Sequence, residues 1–136
     1  MAGYSKTPLP QKLGIKPGSR VSLIGAPKGF EKTLGKLPEG AKTVDRGSFD
    51  VAVAFFTRHS DFEKKLQSLR KRMDPAAGLW IAWPKKASGV ASDLTEDRVR
   101  DLALQTKLVD NKVCAIDDVW SGLRLVIRIV DREKKR

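Results

Sequence analysis

The chain has 136 residues, of which 40% are hydrophobic and 32% are charged, and its formal net charge at pH 7 is +11. This length is typical of one domain, which buries roughly two thirds of its unfolded surface on folding without help from a metal or a disulfide. No apolar run approaches the ~18 residues of a membrane span, and the single Cys114 excludes an internal disulfide. The N-terminus lacks the apolar core of a signal peptide, so we expect a cytoplasmic protein.

The positive charge is spread over the whole chain. The last five residues carry a net charge of +3, so the first 131 residues carry +8. Such an excess favours salt-sensitive association with polyanions, and a solvated, lysine-rich surface is the alternative explanation. We expect a single domain over residues 1–131 and a basic disordered tail over residues 132–136.

The first elements lead to a loop that contains two glycines. A helical turn is predicted at residues 9–14 and a strand at residues 20–24, which stops at the loop from Gly25 through Lys28 to Gly29. A strand, a glycine-containing loop and a short helix is an arrangement by which α/β folds hold phosphates or nucleotides. The spacing of Gly25 and Gly29 nevertheless matches neither the dinucleotide fingerprint nor a P-loop. A short helix from Phe30 and a weak strand that ends at Asp45 follow.

The central element is the apolar stretch at residues 49–56. A strand that is apolar on both faces must be covered on both sides, as in a parallel sheet. Ser60 and Glu63 then form a capping box that predicts the start of a helix. Pro75 ends this helix, Gly78 allows the next turn, and a short buried strand is predicted at residues 79–83. The helix has one apolar stripe, made of Phe62, Leu66, Leu69 and Met73.

The second half begins with a helix that Thr95 caps and that Leu94 staples onto Val99. Strands are predicted at residues 109–116 and 123–130, too close together for a helical crossover, so they pair antiparallel. Trp120 lies in the loop between them, where it covers its own core or anchors a partner. Trp80 and Trp83 are three residues apart, on opposite faces of one strand, with Trp83 partly exposed.

The order of these elements is typical of a three-layer, mostly parallel α/β sheet. The lead-in to the first strand at residues 16–21 and the ending at residues 94–130 resemble a shortened class I S-adenosylmethionine-dependent methyltransferase fold. The resemblance implies a Rossmann-like sheet of about six strands in the order 2-1-3-4-6-5, with an antiparallel final strand. It also implies a small, glycine-rich loop after the first strand, where this chain has Lys28, and a ribose-binding acid after the second, where only Asp45 is available. We therefore expect no cofactor, with S-adenosylmethionine as the open alternative.

Four stretches, at residues 3–9, 83–88, 94–97 and 113–123, carry a second resemblance. They resemble a family of small bacterial proteins known as domain of unknown function 3052. This resemblance implies a bacterial cytoplasmic domain without an established activity, and it supplies no catalytic residue.

The carboxyl ends of parallel strands meet at one edge of a sheet, and ligands bind where the strand order reverses. We expect a pocket for an anionic small molecule there, near the free N–H groups at the start of the helix after residue 59. The alternative is that these cations only keep the surface soluble, and His59 is better explained as a surface histidine than as a base. We expect no catalytic residue and no metal site. The candidate ligand-binding residues are Gly25, Lys28, Gly29, Arg58, His59, Trp83, Lys85 and Lys86.

Three functions remain open from the sequence. The first is a non-catalytic binding or regulatory domain for an anionic ligand or a protein partner, and the second is an S-adenosylmethionine-dependent methyltransferase. The third is a nucleic-acid-binding accessory protein, which would act through the tail and the basic side of the helix after residue 59. The helix residues expected to contact nucleic acid are Lys64, Lys65, Lys71 and Arg72.

Overall fold

The computed structural model describes residues 7–132, and its strands form one six-stranded sheet. The strands are β1 (Arg20–Ile24), β2 (Lys42–Thr43), β3 (Phe49–Phe55), β4 (Met73–Pro84), β5 (Leu108–Ala115) and β6 (Trp120–Ile127). The helices are α1 (Leu9–Leu13), α2 (Phe30–Leu34), α3 (His59–Arg72), α4 (Glu96–Gln105) and α5 (Ile129–Arg132), and a 3₁₀ turn spans Lys86–Ser88.

The strand order is β2-β1-β3-β4-β6-β5, which confirms the predicted order. Strands β2, β1, β3 and β4 run parallel to one another, while β6 runs antiparallel to both β4 and β5. The reversal follows from the short connection between β5 and β6, which permits a hairpin but no helical crossover. The predicted antiparallel final strand is confirmed as well.

Helices cover both faces of the sheet, and each face has its own apolar core. Phe62 and Leu66 of α3 and Val99 of α4 pack on one face, while Leu13 of α1 and Phe30 of α2 belong to the core on the other. Side chains of β3 alternate between the two cores, as the period of a strand requires. This double burial is why the β3 sequence is apolar at nearly every position.

The prediction that Trp80 and Trp83 face opposite sides of β4 is confirmed. Trp80 lies in the α1–α2 core, where its indole Nε1–H donates to the Leu13 carbonyl at 3.0 Å. Trp83 lies in the α3–α4 core with only 7% of its surface exposed, so the predicted partial exposure is wrong. Strand β4 is buried on both faces as far as its last residue, Pro84, so Trp83 has no exposed side.

Several predicted boundaries are wrong. Strand β4 begins at Met73 rather than at residue 79. Pro75 and Gly78, which were expected to end the helix and to form a turn, lie within the strand, where its register with β3 shifts. Proline is tolerated in a strand at such irregular positions, where no ladder hydrogen bond is lost. Strand β6 begins at Trp120 and ends at Ile127, so it starts and stops three residues earlier than predicted.

The chain after β6 forms a short helix, whereas disorder was expected from residue 132. Asp131 and Arg132 belong to α5, and the Arg132 Nε–H donates to the Ile127 carbonyl at 2.8 Å. The rest of the predicted tail, residues 133–136, lies outside the described residues. Within residues 7–132, no helix combines the length and the apolarity that a membrane crossing requires.

Candidate functional site

The loops that follow β1, β3 and β4 meet at the carboxyl edge of the sheet. The parallel register pairs Ile24 with Ala54 and Phe55 with Ala82, so these three strands end side by side. This edge therefore carries most of the candidate ligand-binding residues, in three loops. They are Gly25, Lys28 and Gly29 after β1, Arg58 and His59 after β3, and Lys85 and Lys86 after β4.

Trp83 is the candidate residue whose side chain is not available at this edge. Its ring is buried in the α3–α4 core, so it forms no wall of an open pocket. The backbone of the neighbouring Lys85 is held in place, because its N–H donates to the Val119 carbonyl at 2.8 Å. This bond ties the end of β4 to the β5–β6 hairpin loop.

Four cations at the carboxyl edge have no carboxylate partner within residues 7–132. The ion pairs of the described residues involve Arg20, Arg98, Arg100 and Arg128, none of which belongs to these loops. Three of the four side chains are exposed, and the fourth, Lys85, is half-buried. Their charges therefore add to a positive edge that can attract an anion. The four are Lys28, Arg58, Lys85 and Lys86.

The start of α3 is capped by a residue from a distant loop. Asp93 Oδ1 accepts a hydrogen bond from the His59 backbone N–H at 2.7 Å. The predicted Ser60 cap is wrong, because the N-cap position is Arg58, two residues earlier, and the Arg58 side chain makes no cap hydrogen bond. Asp93 is 34 residues away in sequence, so no local pattern could have revealed this cap.

The loop that carries Asp93 is fixed to the end of β3. The Ser92 hydroxyl donates to the Thr57 carbonyl at 2.8 Å, and the Asp93 N–H donates to the same oxygen at 3.2 Å. A cleft with a volume of about 360 Å³ lies between this loop and the start of α3. The exposed Arg58 guanidinium lines the cleft together with Thr57, Ser60, Ala91, Ser92 and Asp93.

Aromatic side chains fill the carboxyl ends of β1 and β3 on the α2 face. The rings of Phe30 and Phe55 meet edge to face at 4.9 Å, and those of Phe55 and Trp120 at 5.0 Å. Phe30 is only 1% exposed. The glycine at the end of β1, Gly25, lies so close to β3 that a Cβ atom there would be 3.1 Å from the Phe55 carbonyl oxygen. On this face the carboxyl ends of β1 and β3 therefore lie close together and under packed aromatic rings.

Trp120 is held in this position by its own loop. Asp117 Oδ1 accepts hydrogen bonds from the backbone N–H groups of Val119 and Trp120, both at 2.8 Å. This carboxylate therefore orders the turn that places the indole on Phe55. The prediction that Trp120 covers its own core is confirmed, since the ring packs against the α1–α2 core.

Asp45 and His59 are the remaining titratable candidates. Asp45 is exposed just beyond β2, beside the end of β1. The His59 ring contacts Phe62 edge to face at 6.4 Å and lines a small cleft with Glu63 and Arg98. Between residues 7 and 132, no three histidine, cysteine or acidic residues lie close enough together to hold a metal ion.

The basic side of α3 consists of three free lysines and one engaged arginine. Lys64, Lys65 and Lys71 are exposed. Arg72 instead donates from Nη2 to the Ser22 hydroxyl and from Nε to the Gly47 carbonyl, both at 2.9 Å. Its guanidinium also lies 5.3 Å from the centre of the Phe49 ring. Arg72 therefore ties α3 to the sheet, and only the lysines are free for a partner.

The strand order, the reversed β6 and the helices on both faces define a Rossmann-like fold of the S-adenosylmethionine-dependent methyltransferase type. One similar solved structure is a SAM-dependent methyltransferase from Aquifex aeolicus, with 16% identity, a TM-score of 0.56 and 87% of each chain covered. A second is magnesium protoporphyrin IX methyltransferase from Synechocystis PCC 6803 with bound SAM, with 14% identity, a TM-score of 0.58, and 88% of this chain and 74% of that chain covered.

A third similar structure has another activity. It is precorrin 8W decarboxylase from Methanobacterium thermoautotrophicum, with 6% identity, a TM-score of 0.57, and 87% of this chain and 86% of that chain covered. No family model and no curated protein matches the chain, so the resemblance to domain of unknown function 3052 stays a prediction. At these identities the comparisons establish the fold, and the function must be argued from the site.

Proposed function

We propose that this protein is a non-catalytic binding domain that takes a small anionic ligand at the carboxyl edge of a methyltransferase-type sheet. The observation that carries the proposal is the aromatic cluster of Phe30, Phe55 and Trp120. This cluster occupies the crevice where such folds commonly receive a ligand. We therefore place the binding site at the rim of this edge, in the loops that carry the unpaired cations.

The cleft beside Arg58 is the best-formed part of this rim. Its volume of about 360 Å³ falls within the range of small-molecule sites. The Asp93 carboxylate already accepts the first N–H of α3, so the helix start contributes less to an added anion than its position suggests. The cleft lining contains the Arg58 guanidinium and the Asp93 carboxylate, so an added anion is bound by Arg58 only with the positive potential that Lys85 and Lys86 add from the next loop.

The test is a titration with inorganic phosphate at constant ionic strength, in which binding is measured by thermal unfolding and by calorimetry. A ligand at 100 times its Kd stabilises the native state by about 2.7 kcal/mol. We expect Arg58→Gln and the double variant Lys85→Gln/Lys86→Gln to lose most of this stabilisation. Lys64→Gln, on the exposed side of α3, removes a charge elsewhere and should retain it. Equal losses in all three variants would indicate non-specific screening and contradict the proposal.

A SAM-dependent methyltransferase is the second candidate function, favoured by two positions at the carboxyl edge. Gly25 follows β1 and has a φ of +67°, and Asp45 follows the neighbouring strand β2. In the resemblance described above, these positions approach the methionine part and the ribose of the cofactor. The Aquifex aeolicus methyltransferase is covered over 87% of its chain, so a chain of this size is not in itself too short.

Direct titration with S-adenosylmethionine separates the two candidates. The first proposal predicts no saturable heat with the wild type, because the Trp120 and Phe55 rings occupy the crevice. Saturable binding that Gly25→Ala abolishes would favour the methyltransferase and overturn the first proposal. Trp120→Ala shows whether the aromatic cluster is what excludes the cofactor, since its removal opens the crevice.

Nucleic-acid association through Lys64, Lys65 and Lys71 is supported only by their exposure on one helix. Its signature is an affinity that falls steeply as salt rises. We expect Lys64→Gln/Lys65→Gln/Lys71→Gln to reduce the salt slope if this helix is the contact surface. An unchanged slope would assign the association to general surface charge.

A further inference from the structure

A second cleft lies at the opposite edge of the sheet, where the parallel strands begin. It has a volume of about 320 Å³ and lies between the turn that precedes β1 and the strands β3, β4 and β6. Ligands of α/β folds ordinarily bind at the other edge, so no site is expected here from the residue pattern. The polar side chains that line it belong to Lys16, Ser19, Asp50, Asp74 and Arg124.

The Arg124 guanidinium lies against the bare backbone of Gly78. A Cβ atom at residue 78 would be 2.5 Å from Arg124 Nε and 2.8 Å from both Cζ and Nη2. The backbone of Gly78 is not in the left-handed region, so its conformation does not require glycine. The absence of a side chain at this position instead makes room for the guanidinium beside β4.

Arg124 has no carboxylate partner among the described residues. Its single hydrogen bond runs from Nη1 to Asn111 Oδ1 at 3.3 Å, which leaves the Nε and Nη2 N–H groups without an acceptor. Burial, followed by the nearby positive charge of Arg132, lowers the pKa of this guanidinium. A half-buried charge without a partner is costly, and a bound anion would offset that cost.

The acidic residues of the same cleft are engaged elsewhere. Asp50 accepts from the Arg20 backbone N–H at 2.8 Å and from its Nε and Nη2 at 3.1 Å and 2.9 Å. Asp74 lies 3.7 Å from the same guanidinium. The two carboxylates and the three cations Arg20, Lys16 and Arg124 together give the cleft a net charge of +1. Arg20 offsets one of the two acidic charges, Lys16 balances the other in the sum, and Arg124 is the cation without an ion pair among the described residues.

We propose that Arg124 is the main contact of a second binding site, which takes the carboxylate or phosphate of a small molecule in the cleft at the amino edge. The two open N–H groups of a guanidinium match two oxygens of such an anion, which a lysine cannot reproduce. Lys16 supplies a second cation at the mouth of the cleft, and Gly78 keeps the space in which the guanidinium lies. This site goes beyond the proposed function and lies at the other edge of the sheet.

The test is an NMR titration of the full chain with inorganic phosphate and, separately, with oxalate, at constant ionic strength. We expect the Arg124 Nε–H signal and the Gly78 amide signal to shift together along one saturable curve. Arg124→Gln and Gly78→Ala should each weaken this binding about tenfold or more, since both remove the paired hydrogen bonds to a charged group. Gly78→Ala is the sharper variant, because it displaces the guanidinium without changing the net charge.

The controls separate this site from general attraction of anions and from the carboxyl edge. Arg46→Gln removes one exposed arginine that has no ion pair among the described residues, and binding should stay within about twofold of wild type. Arg124→Lys keeps the charge and should still weaken binding, because the paired donors are lost. If Arg46→Gln and Arg124→Gln weaken binding equally, or if Gly78→Ala binds as wild type, the proposal is overturned. Shifts confined to residues 57–60 would support the carboxyl-edge site and overturn this one.

Discussion

The cap of α3 provides a direct test of whether a distant carboxylate occupies this helix start. The His59 N–H donates to Asp93 Oδ1 at 2.7 Å, and Asp93 has no sequence signature of a cap. Ser60, which does have such a signature, makes no side-chain cap. The structure therefore predicts that Asp93→Ala destabilises the protein and Ser60→Ala does not. The local sequence pattern predicts the reverse.

The magnitude follows from the bond that is lost. Replacing an aspartate cap by alanine costs about 1 kcal/mol, with a range of roughly 0.5–2. The short, charge-assisted bond places Asp93→Ala in the upper half of that range, at about 1–2 kcal/mol. Ser60 lies on the exposed surface of the first turn, where alanine is the better helix former, so Ser60→Ala should change the stability by less than about 0.5 kcal/mol. Asp93→Asn retains an acceptor and should fall between the two.

The assay is equilibrium urea unfolding followed by far-UV circular dichroism, with the midpoint compared at constant slope. Thr95→Ala is the matched control, because Thr95 Oγ1 accepts from the Arg98 N–H and caps α4 locally. It should cost about 1 kcal/mol in the same assay. If Ser60→Ala destabilises the protein as much as Thr95→Ala does, while Asp93→Ala has no effect, the structural assignment of the cap is refuted.

Three further predictions concern the sheet and its two cores. Hydrogen bonds from Arg20 lower the pKa of Asp50, so this carboxylate stabilises the fold above its unfolded pKa of about 3.9, and the contribution is lost as the pH falls through the lower folded pKa. Asp50→Asn should therefore flatten the acid limb of a stability profile measured by urea unfolding below about pH 4. Trp80→Phe removes the donor to the buried Leu13 carbonyl and should cost about 2 kcal/mol or more in the same assay. Gly122→Ala should cost about 1–3 kcal/mol, because the new Cβ would lie 2.8 Å from an isoleucine methyl group and 3.1 Å from the Trp80 ring.

Each of these predictions has a contrary result. An acid limb that Asp50→Asn leaves unchanged would mean that the Arg20 pair does not distinguish the folded from the unfolded state. A Trp80→Phe variant as stable as wild type would show that the Leu13 carbonyl finds another donor. A neutral Gly122→Ala would show that the core above β6 can make room for a methyl group.

Of the two proposed sites, only the one at the carboxyl edge lies where α/β folds commonly bind ligands. In the proposed function the packed rings of Phe30, Phe55 and Trp120 leave only the rim of this edge for a ligand. The amino edge has no such precedent, and its argument rests on Arg124 and the space that Gly78 provides. Because the two sites respond to different variants, the failure of one proposal leaves the other open to test.

The strand order was implied by the resemblance to the methyltransferase fold. The residues themselves determined the antiparallel pairing of β5 with β6 and the division of β3 into two buried faces. These features depend on local information, since hydrophobic periodicity and connection length restrict how strands pair. The same local signals placed Thr95 as a cap, because a cap of this kind bonds within three residues of itself.

Only the tertiary structure decided what occupies each end of the sheet. Asp93 reaches the start of α3 from 34 residues away, and Arg124 on β6 lies against Gly78 on β4. Trp120 meets Phe55 only because β6 is inserted beside β4 and its hairpin loop then lies at the carboxyl edge. Such contacts are fixed by packing between elements that are remote in sequence, and no local pattern of residues specifies them.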